Sequence, residues 1–318
     1  MINVIQGREL FTMDVLGRTV QGTCHVPPDE TSDALGQPAS HKIPGVLFLS
    51  GLLAPRAGNG DTLVYWADAL ARSGYPSFRV DLPGTCDSDG DAPAELMSFI
   101  NTGRYEGATI EIIRQIRRRF DLDSIILVGH CSGSVTAIFA AAADGDCRGL
   151  VLLEPYFHLP PPAATQARDA LSQWAASNRL GGILSNLFDR LKELRLRLRR
   201  AELPRNANFP LVKCWRSLAS AGMPILIIKV PGAKATAAKP RLGEFDYLAH
   251  LAGVGGSRSR VEVKVIQGTS HSFADPVGRL GVLRYTESWL RDSFPQATGK
   301  RTAAQDHSAS ELSKLAAC

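Results

Sequence analysis

Apolar and polar positions alternate with two different periods along this chain, and the alternation between them predicts the order of its elements. "LFTMDVLGRTVQGTCHVP" changes side residue by residue and turns at Gly17, which predicts an opening hairpin. "GVLFLSG", Gly45–Gly51, is apolar throughout and predicts a buried strand. "TLVYWADALARSG" then repeats at helical spacing and stops at Gly74. The strand "PSFRVD" and the turn-rich "LPGTCDSDGD" follow, then the amphipathic helix "YEGATIEIIRQIRRRF". "SIILVG" predicts the next strand, with a helix from Ser134 and a strand "GLVLLEP" after it.

Beyond Tyr156 the pattern changes. "LPPPAA" breaks the chain, and helical segments run as far as "FPLVKCWRSLASAG". Strands return with "PILIIKV" and "RVEVKVI". A last helix is predicted from "ADPVGRLGVLRYTESWL", with Asp275 as N-cap and Pro276 at the first helical position. The final "QATGKRTAAQDHSASELSKLAAC" has few large apolar groups and reads as a loose tail. Strands alternating with helices imply an α/β fold, a mostly parallel central sheet with helices on both faces. The expected organisation is a core over 1–155 and 223–297, a helical lid insertion over 156–222 and a flexible tail over 298–318. An insertion between two late strands would sit over the C-terminal ends of the strands, where such sheets bind ligands.

Composition narrows the class. With 318 residues, 44% apolar content and a formal charge of +5, the chain suits a globular enzyme and gives no general argument for nucleic acid. Six cysteines lie scattered, without the spacing of a zinc site or a disulfide framework, so no metal and no cofactor is expected. The N-terminus lacks an apolar signal core, and no apolar run is long enough to span a membrane, so a cytoplasmic location is expected.

The candidate chemistry lies in "ILVGHCSGSVTAIFAAAADG". A strand, a tight turn and a helix with small-x-nucleophile-x-small at the turn is the nucleophile-elbow pattern. Gly129-His130-Cys131-Ser132-Gly133 fits it with the Cys131 thiol at the centre. Shifting the frame by one makes Ser132 central, but His130 then takes a position that must be small. A helix N-terminus behind the thiol favours its thiolate. The alternative is that Cys131 is one more small buried residue. A cysteine nucleophile needs a base, and His271, in "VEVKVIQGTSHSFADP" between the last strand and the last helix, is the candidate. His130 is expected to be a bystander whose side chain points away.

On these residues the chain resembles the α/β-hydrolase superfamily from about Phe11 to Pro295. "RVDLPGTCDSDG" is similar to its D-x-x-G-x-G-x-S loop, with Cys86 replacing the second glycine. The thiol apex resembles dienelactone hydrolases and cysteine-type thioesterases. The layout "SGLLAPRAGNGD…WADALARSGYPSFRVDLPGTCDSDG" also looks like hydrolases associated with exosortase and exopolysaccharide systems. The resemblance implies that His271 returns over the elbow. It also implies an oxyanion hole from the backbone N–H of Ser132 and a second N–H after the "LFLSG" strand, assigned to Leu52. The family's acid usually follows the strand before the histidine strand. Here that stretch, "IIKVPGAKATAAKP", has no carboxylate and Lys234 stands near the place. Glu154, at the end of the preceding strand, and Asp246, in "GEFDYLAHL", are the substitutes, with Glu154 preferred.

The insertion contributes "LSNLFDRLKELRLRLRRAELPR", whose leucines make one helical face and whose arginines, Arg195 and Arg199 among them, occupy much of the rest. A lid helix with a solvated basic face is the plain reading; a guide for an acyl group on coenzyme A or a carrier protein is the sharper one. The expected activity is therefore hydrolysis of an ester, thioester or lactone through an acyl-cysteine. Acyl transfer on the same site, or a hydrolase fold kept as a binding protein, are the alternatives.

Overall fold

In the computed structural model, the described residues are 7–26, 43–52, 54–159, 203–231, 247, 251 and 256–295. Eight strands among them form one sheet: β1 (Arg8–Val15), β2 (Arg18–His25), β3 (Gly45–Leu49), β4 (Ser77–Val80), β5 (Ile125–His130), β6 (Cys147–Leu153), β7 (Pro224–Lys229) and β8 (Arg260–Val265). The spatial order is β1-β2-β4-β3-β5-β6-β7-β8. β1–β2 and β2–β4 pair antiparallel and every later pair is parallel, so the sheet is mostly parallel as expected.

The opening hairpin forms where its pattern placed it. Leu16 and Gly17 both take positive φ, 55° and 77°, the geometry whose twist matches two antiparallel strands. Six α-helices connect or flank the strands: α1 (Thr62–Arg72), α2 (Leu96–Asn101), α3 (Glu106–Arg119), α4 (Ser132–Ala143), α5 (Phe209–Ser220) and α6 (Pro276–Ser293) among the described residues. α1 ends at Ser73 and Gly74, where φ reaches 92° and the Tyr75 amide reaches back to the Leu70 carbonyl. α6 begins at the expected cap: the Asp275 side chain accepts the Gly278 amide at 2.9 Å, with Pro276 in the first turn.

Two apolar layers flank the sheet, and the period of two along each strand feeds both. Leu47 and Leu49 face α3, α4 and α5, with Ile112, Ile138 and Trp215. Val46 and Phe48 face α1 and α6, with Trp66 and Trp289. A strand buried on both sides needs no polar face, which is why β3 and β5 read as unbroken apolar runs. α5, at the C-terminal end of the expected insertion, packs Leu211, Val212 and Trp215 into the first layer. The chain on either side of residues 160–202 is pinned together: Leu159 N–H donates to the Asn206 carbonyl at 2.7 Å and Asn208 N–H to that of Phe157 at 2.8 Å. The arginine-rich stretch between them, with Arg195 and Arg199, lies outside the described residues, as do Lys234, Asp246 and the expected tail.

Candidate functional site

The site is built at the C-terminal ends of β3, β5 and β6. β5 runs to His130, and the chain then turns abruptly into α4 through Cys131, whose φ is 53° and ψ −114°. A residue with a side chain avoids that region at a cost of about 1–3 kcal/mol. Two glycines make the turn possible by close approach. A Cβ on Gly129 would stand 2.6 Å from the Gly133 carbonyl oxygen and the Ser134 amide nitrogen. A Cβ on Gly133 would stand 2.2 Å from the Leu49 carbonyl oxygen. The turn is then locked by hydrogen bonds: Cys131 N–H to the Leu153 carbonyl at 2.8 Å, and the Ser134 hydroxyl to the Gly129 carbonyl at 2.7 Å. The apex of the turn is Cys131, and Ser132 is the first residue of α4, buried at 2% exposure.

His271 comes back over this turn from the loop between β8 and α6. Its Nδ1 lies 3.5 Å from Oε2 of Glu154. Glu154 follows β6 directly and also has positive φ, 52°. Its backbone N–H donates to the Ile228 carbonyl at 2.9 Å, and its other carboxylate oxygen accepts the Val230 N–H. One carboxylate thus reaches across the end of β7, the strand after which the family's acid usually stands. Hydrogen bonding to Cys131, and then to Glu154, pushes His271 up to about 10, so its imidazole favours the charged form.

The loop after β3 passes beside the apex. A Cβ on Gly51 would lie 3.6 Å from the Cβ of Cys131, and Leu52 follows it with an exposed side chain. The loop is tightly turned: Ala54 N–H donates to the Gly51 carbonyl at 3.1 Å and the Ser50 hydroxyl to the Ala54 carbonyl at 2.7 Å. Arg56 anchors its far side on Asp81, whose Oδ1 accepts the Arg56 N–H at 2.7 Å, and on Asp87.

Two features of the site were not anticipated. His130 does not point away. The residue is 8% exposed and its Nε2 lies 2.9 Å from the backbone oxygen of His271, so the expectation that its side chain points away is corrected. The contact has no local signal, since the partner is 141 positions away in sequence. Tyr156 is the second. Burial, and then the charge of Cys131, push its hydroxyl up to about 12, and that oxygen is buried with no hydrogen-bond partner among the described residues. The sequence signal was only its position two residues after Glu154.

Among the described residues no cluster of histidine, cysteine, aspartate or glutamate side chains could hold a metal ion, and no helix is long and apolar enough to cross a membrane. A family model described as alpha/beta hydrolase fold matches residues 44–257. The chain belongs to the alpha/beta hydrolase fold family. No curated protein matches it closely enough to be counted. This hydrolase-fold chain is also similar to solved structures. One is an esterase of Pyrococcus furiosus, at 13% identity over 90% of both chains with a TM-score of 0.57. Another is a bacterial membrane phospholipase A, at 15% identity over 91% of this chain and 88% of the other, TM-score 0.54. A third is an alpha-beta serine hydrolase homologue of Coxiella burnetii, at 15% identity over 89% and 96%, TM-score 0.50. At such identities the likeness is one of fold.

Proposed function

We propose that this hydrolase-fold protein cleaves an ester, thioester or lactone by nucleophilic catalysis at Cys131. The observation that carries the proposal is the coupling of a strained, positive-φ Cys131 to a His271 that is pushed up to about 10 by hydrogen bonds to that thiol and to Glu154. A thiol hydrogen-bonded to an imidazole that favours its charged form can give up its proton to it.

In the proposed reaction His271 takes the Cys131 proton and the thiolate adds to the acyl carbon. The carbonyl oxygen gains the negative charge and meets the N–H groups of Ser132, at the start of α4, and Leu52, beside Gly51. The tetrahedral intermediate collapses. The bond to the leaving oxygen or sulfur breaks, and the proton held on His271 goes to that atom. Water, deprotonated by His271, then adds to the acyl-cysteine; the carbon–sulfur bond breaks, the acid leaves, and the proton on His271 returns to the regenerated Cys131–His271 pair. Glu154 keeps His271 in orientation and stabilises its cation. Esters, thioesters and lactones share this electrophile, and the Pyrococcus furiosus esterase, similar in fold, is named for one of them.

The test is an intact-mass measurement after brief incubation with a panel of acyl thioesters, aryl esters and lactones. A mass increase equal to the acyl group, present in the native chain and absent in Cys131→Ala, is expected. Adduct formation that persists in Cys131→Ala refutes the assignment.

A further inference from the structure

We infer that His130, the residue preceding the proposed nucleophile, is a positioning residue for His271, acting through the His271 backbone. The inference rests on the proposed Cys131–His271 chemistry and adds a second histidine to it with a different task.

A backbone carbonyl can only accept, so the 2.9 Å contact between His130 Nε2 and the His271 oxygen puts a proton on Nε2. Burial, the largest effect on the ring, pulls His130 below the ordinary histidine range, with the nearby His271 charge acting in the same direction. The hydrogen bond to the carbonyl and the Glu154 charge oppose this. The neutral Nε2–H form follows from both the geometry and the burial. A neutral donor places no second cation beside a His271 that must carry one.

The contact is placed where the histidine loop needs it. The loop's far end is held by Asp275, whose carboxylate accepts from the Thr269 hydroxyl and from the Gly278 amide. Its apolar anchor is Phe273, fully buried, with φ 51° and its ring 6.0 Å from that of His130. The His271 side chain itself is 54% exposed and lies free of any packed wall on much of its surface. Its direction is therefore set by its backbone and by Glu154. His130 fixes that backbone at the carbonyl and packs its ring 5.3 Å from the His271 ring. On the other side, a Cβ on Gly51 would lie 3.9 Å from His130 Nδ1. A single buried ring thus spans the oxyanion loop, the elbow and the histidine loop. Displacement of a base by about 1 Å costs on the order of a hundredfold in rate.

The test compares His130→Gln, whose terminal amide can donate near the place of Nε2, with His130→Leu, which cannot. Iodoacetamide alkylation of Cys131 is followed from pH 5.5 to 9.5, together with kcat and KM for an ester or thioester that acylates the native chain. Expected for His130→Leu are a rise of about one unit in the pH midpoint of alkylation, and a kcat lower by about 10–100-fold with KM within about twofold. His130→Gln recovers most of both. A merely structural role would lower the melting temperature and the active fraction but leave the alkylation midpoint in place, and a folded His130→Leu with an unshifted midpoint overturns the inference. Should His130→Leu not fold, the nitrogen-15 shifts of the native His130 ring decide: a neutral Nδ1–H tautomer, which would turn a lone pair toward the carbonyl, overturns it equally. Failure of the underlying chemistry has a different signature, a native Cys131 that alkylates at pH 6–7 no faster than an ordinary thiol.

Discussion

Glu154 and Val230 join the ends of two neighbouring strands: one oxygen of the Glu154 carboxylate accepts the Val230 amide while the other lies 3.5 Å from His271 Nδ1. The carboxylate is thereby held at the end of β7, the strand after which the family's acid usually stands. Glu154→Gln keeps the size and the acceptor for Val230 but removes the charge opposite His271. A fall in kcat of about 10–100-fold is expected, with little change in KM. Asp246→Asn is expected to leave kcat within about twofold of the native value. Steady-state kinetics on both variants checks this, and equal mild effects would reduce the site to a Cys–His pair.

The same contacts predict how stability varies in mildly alkaline solution. His271 is raised from an ordinary 6.5 to about 10 in the fold. A group raised in this way stabilises the folded chain fully below its unfolded value and loses that contribution as pH climbs through the folded one. The melting temperature of the native chain relative to His271→Asn should therefore decline between about pH 6.5 and 10. Glu154→Gln should flatten that decline, because one of the two hydrogen bonds responsible is weakened. Differential melting curves at half-unit pH steps test both statements.

At the elbow, stability and activity are set against each other. Cys131 has φ 53° and ψ −114°, a conformation that glycine adopts without penalty. Cys131→Gly should abolish acylation yet unfold at higher denaturant than Cys131→Ala, by about 1 kcal/mol or more. The gain from released strain is partly offset by the freedom glycine adds to the unfolded chain. Urea titration of the two inactive variants measures it, and equal midpoints would mean that the strain is no larger than that offset.

Much of this was legible beforehand, and the division follows range along the chain. The hairpin at Leu16–Gly17, the stop at Gly74, the cap at Asp275 and the glycines around Cys131 are each set by neighbours within a few residues, and local chemistry predicts them. The alternation of apolar strands and amphipathic helices fixed the layer order for the same reason. What escaped depends on pairs brought together by the whole sheet. The His130 ring meets a carbonyl 141 residues on, and the Glu154 carboxylate meets the His271 ring from the end of a different strand. The short α2 (Leu96–Asn101) escaped too, since six residues carry little periodicity.

A second buried histidine predicts acid sensitivity remote from the site. His25 accepts from Arg79 Nε at 2.8 Å through Nε2 and donates from Nδ1 to Asp68 Oδ1 at 2.7 Å. Burial, and then the Arg79 charge, lower it to about 4. The unfolded chain takes up this proton near 6.5 and the folded chain resists it, so stability should fall as pH drops from about 6.5 to about 4. Arg79 also donates to the Arg56 carbonyl at 2.7 Å, so the loop beside Cys131 shares the network. In His25→Gln the slope over that pH window should shrink, while stability at pH 7.5 falls by about 1–3 kcal/mol because a buried donor–acceptor chain is broken. Chemical denaturation at pH 5 and 7.5 reads out both, and an unchanged slope would remove His25 from the titration.

Gly133 and Gly107 give one substitution two signs. A Cβ on Gly133 meets the Leu49 carbonyl oxygen at 2.2 Å and that of Ser50 at 2.6 Å, both backbone atoms that cannot swing aside. Gly133→Ala must push α4 away from β3, so a loss of about 3 kcal/mol or more is expected, or failure to fold. Gly107, in α3, has nothing within 4 Å of the corresponding position. Gly107→Ala should therefore add about 0.5–1 kcal/mol through helix propensity and reduced unfolded-state freedom. Parallel denaturant curves check the pair. Where Gly133→Ala does fold, its Cys131 alkylation should also slow, because the same displacement moves the Ser132 amide away from the thiol. Full stability with native alkylation would show that α4 can slide along β3 without cost, and the tight elbow would then have no role in presenting Cys131.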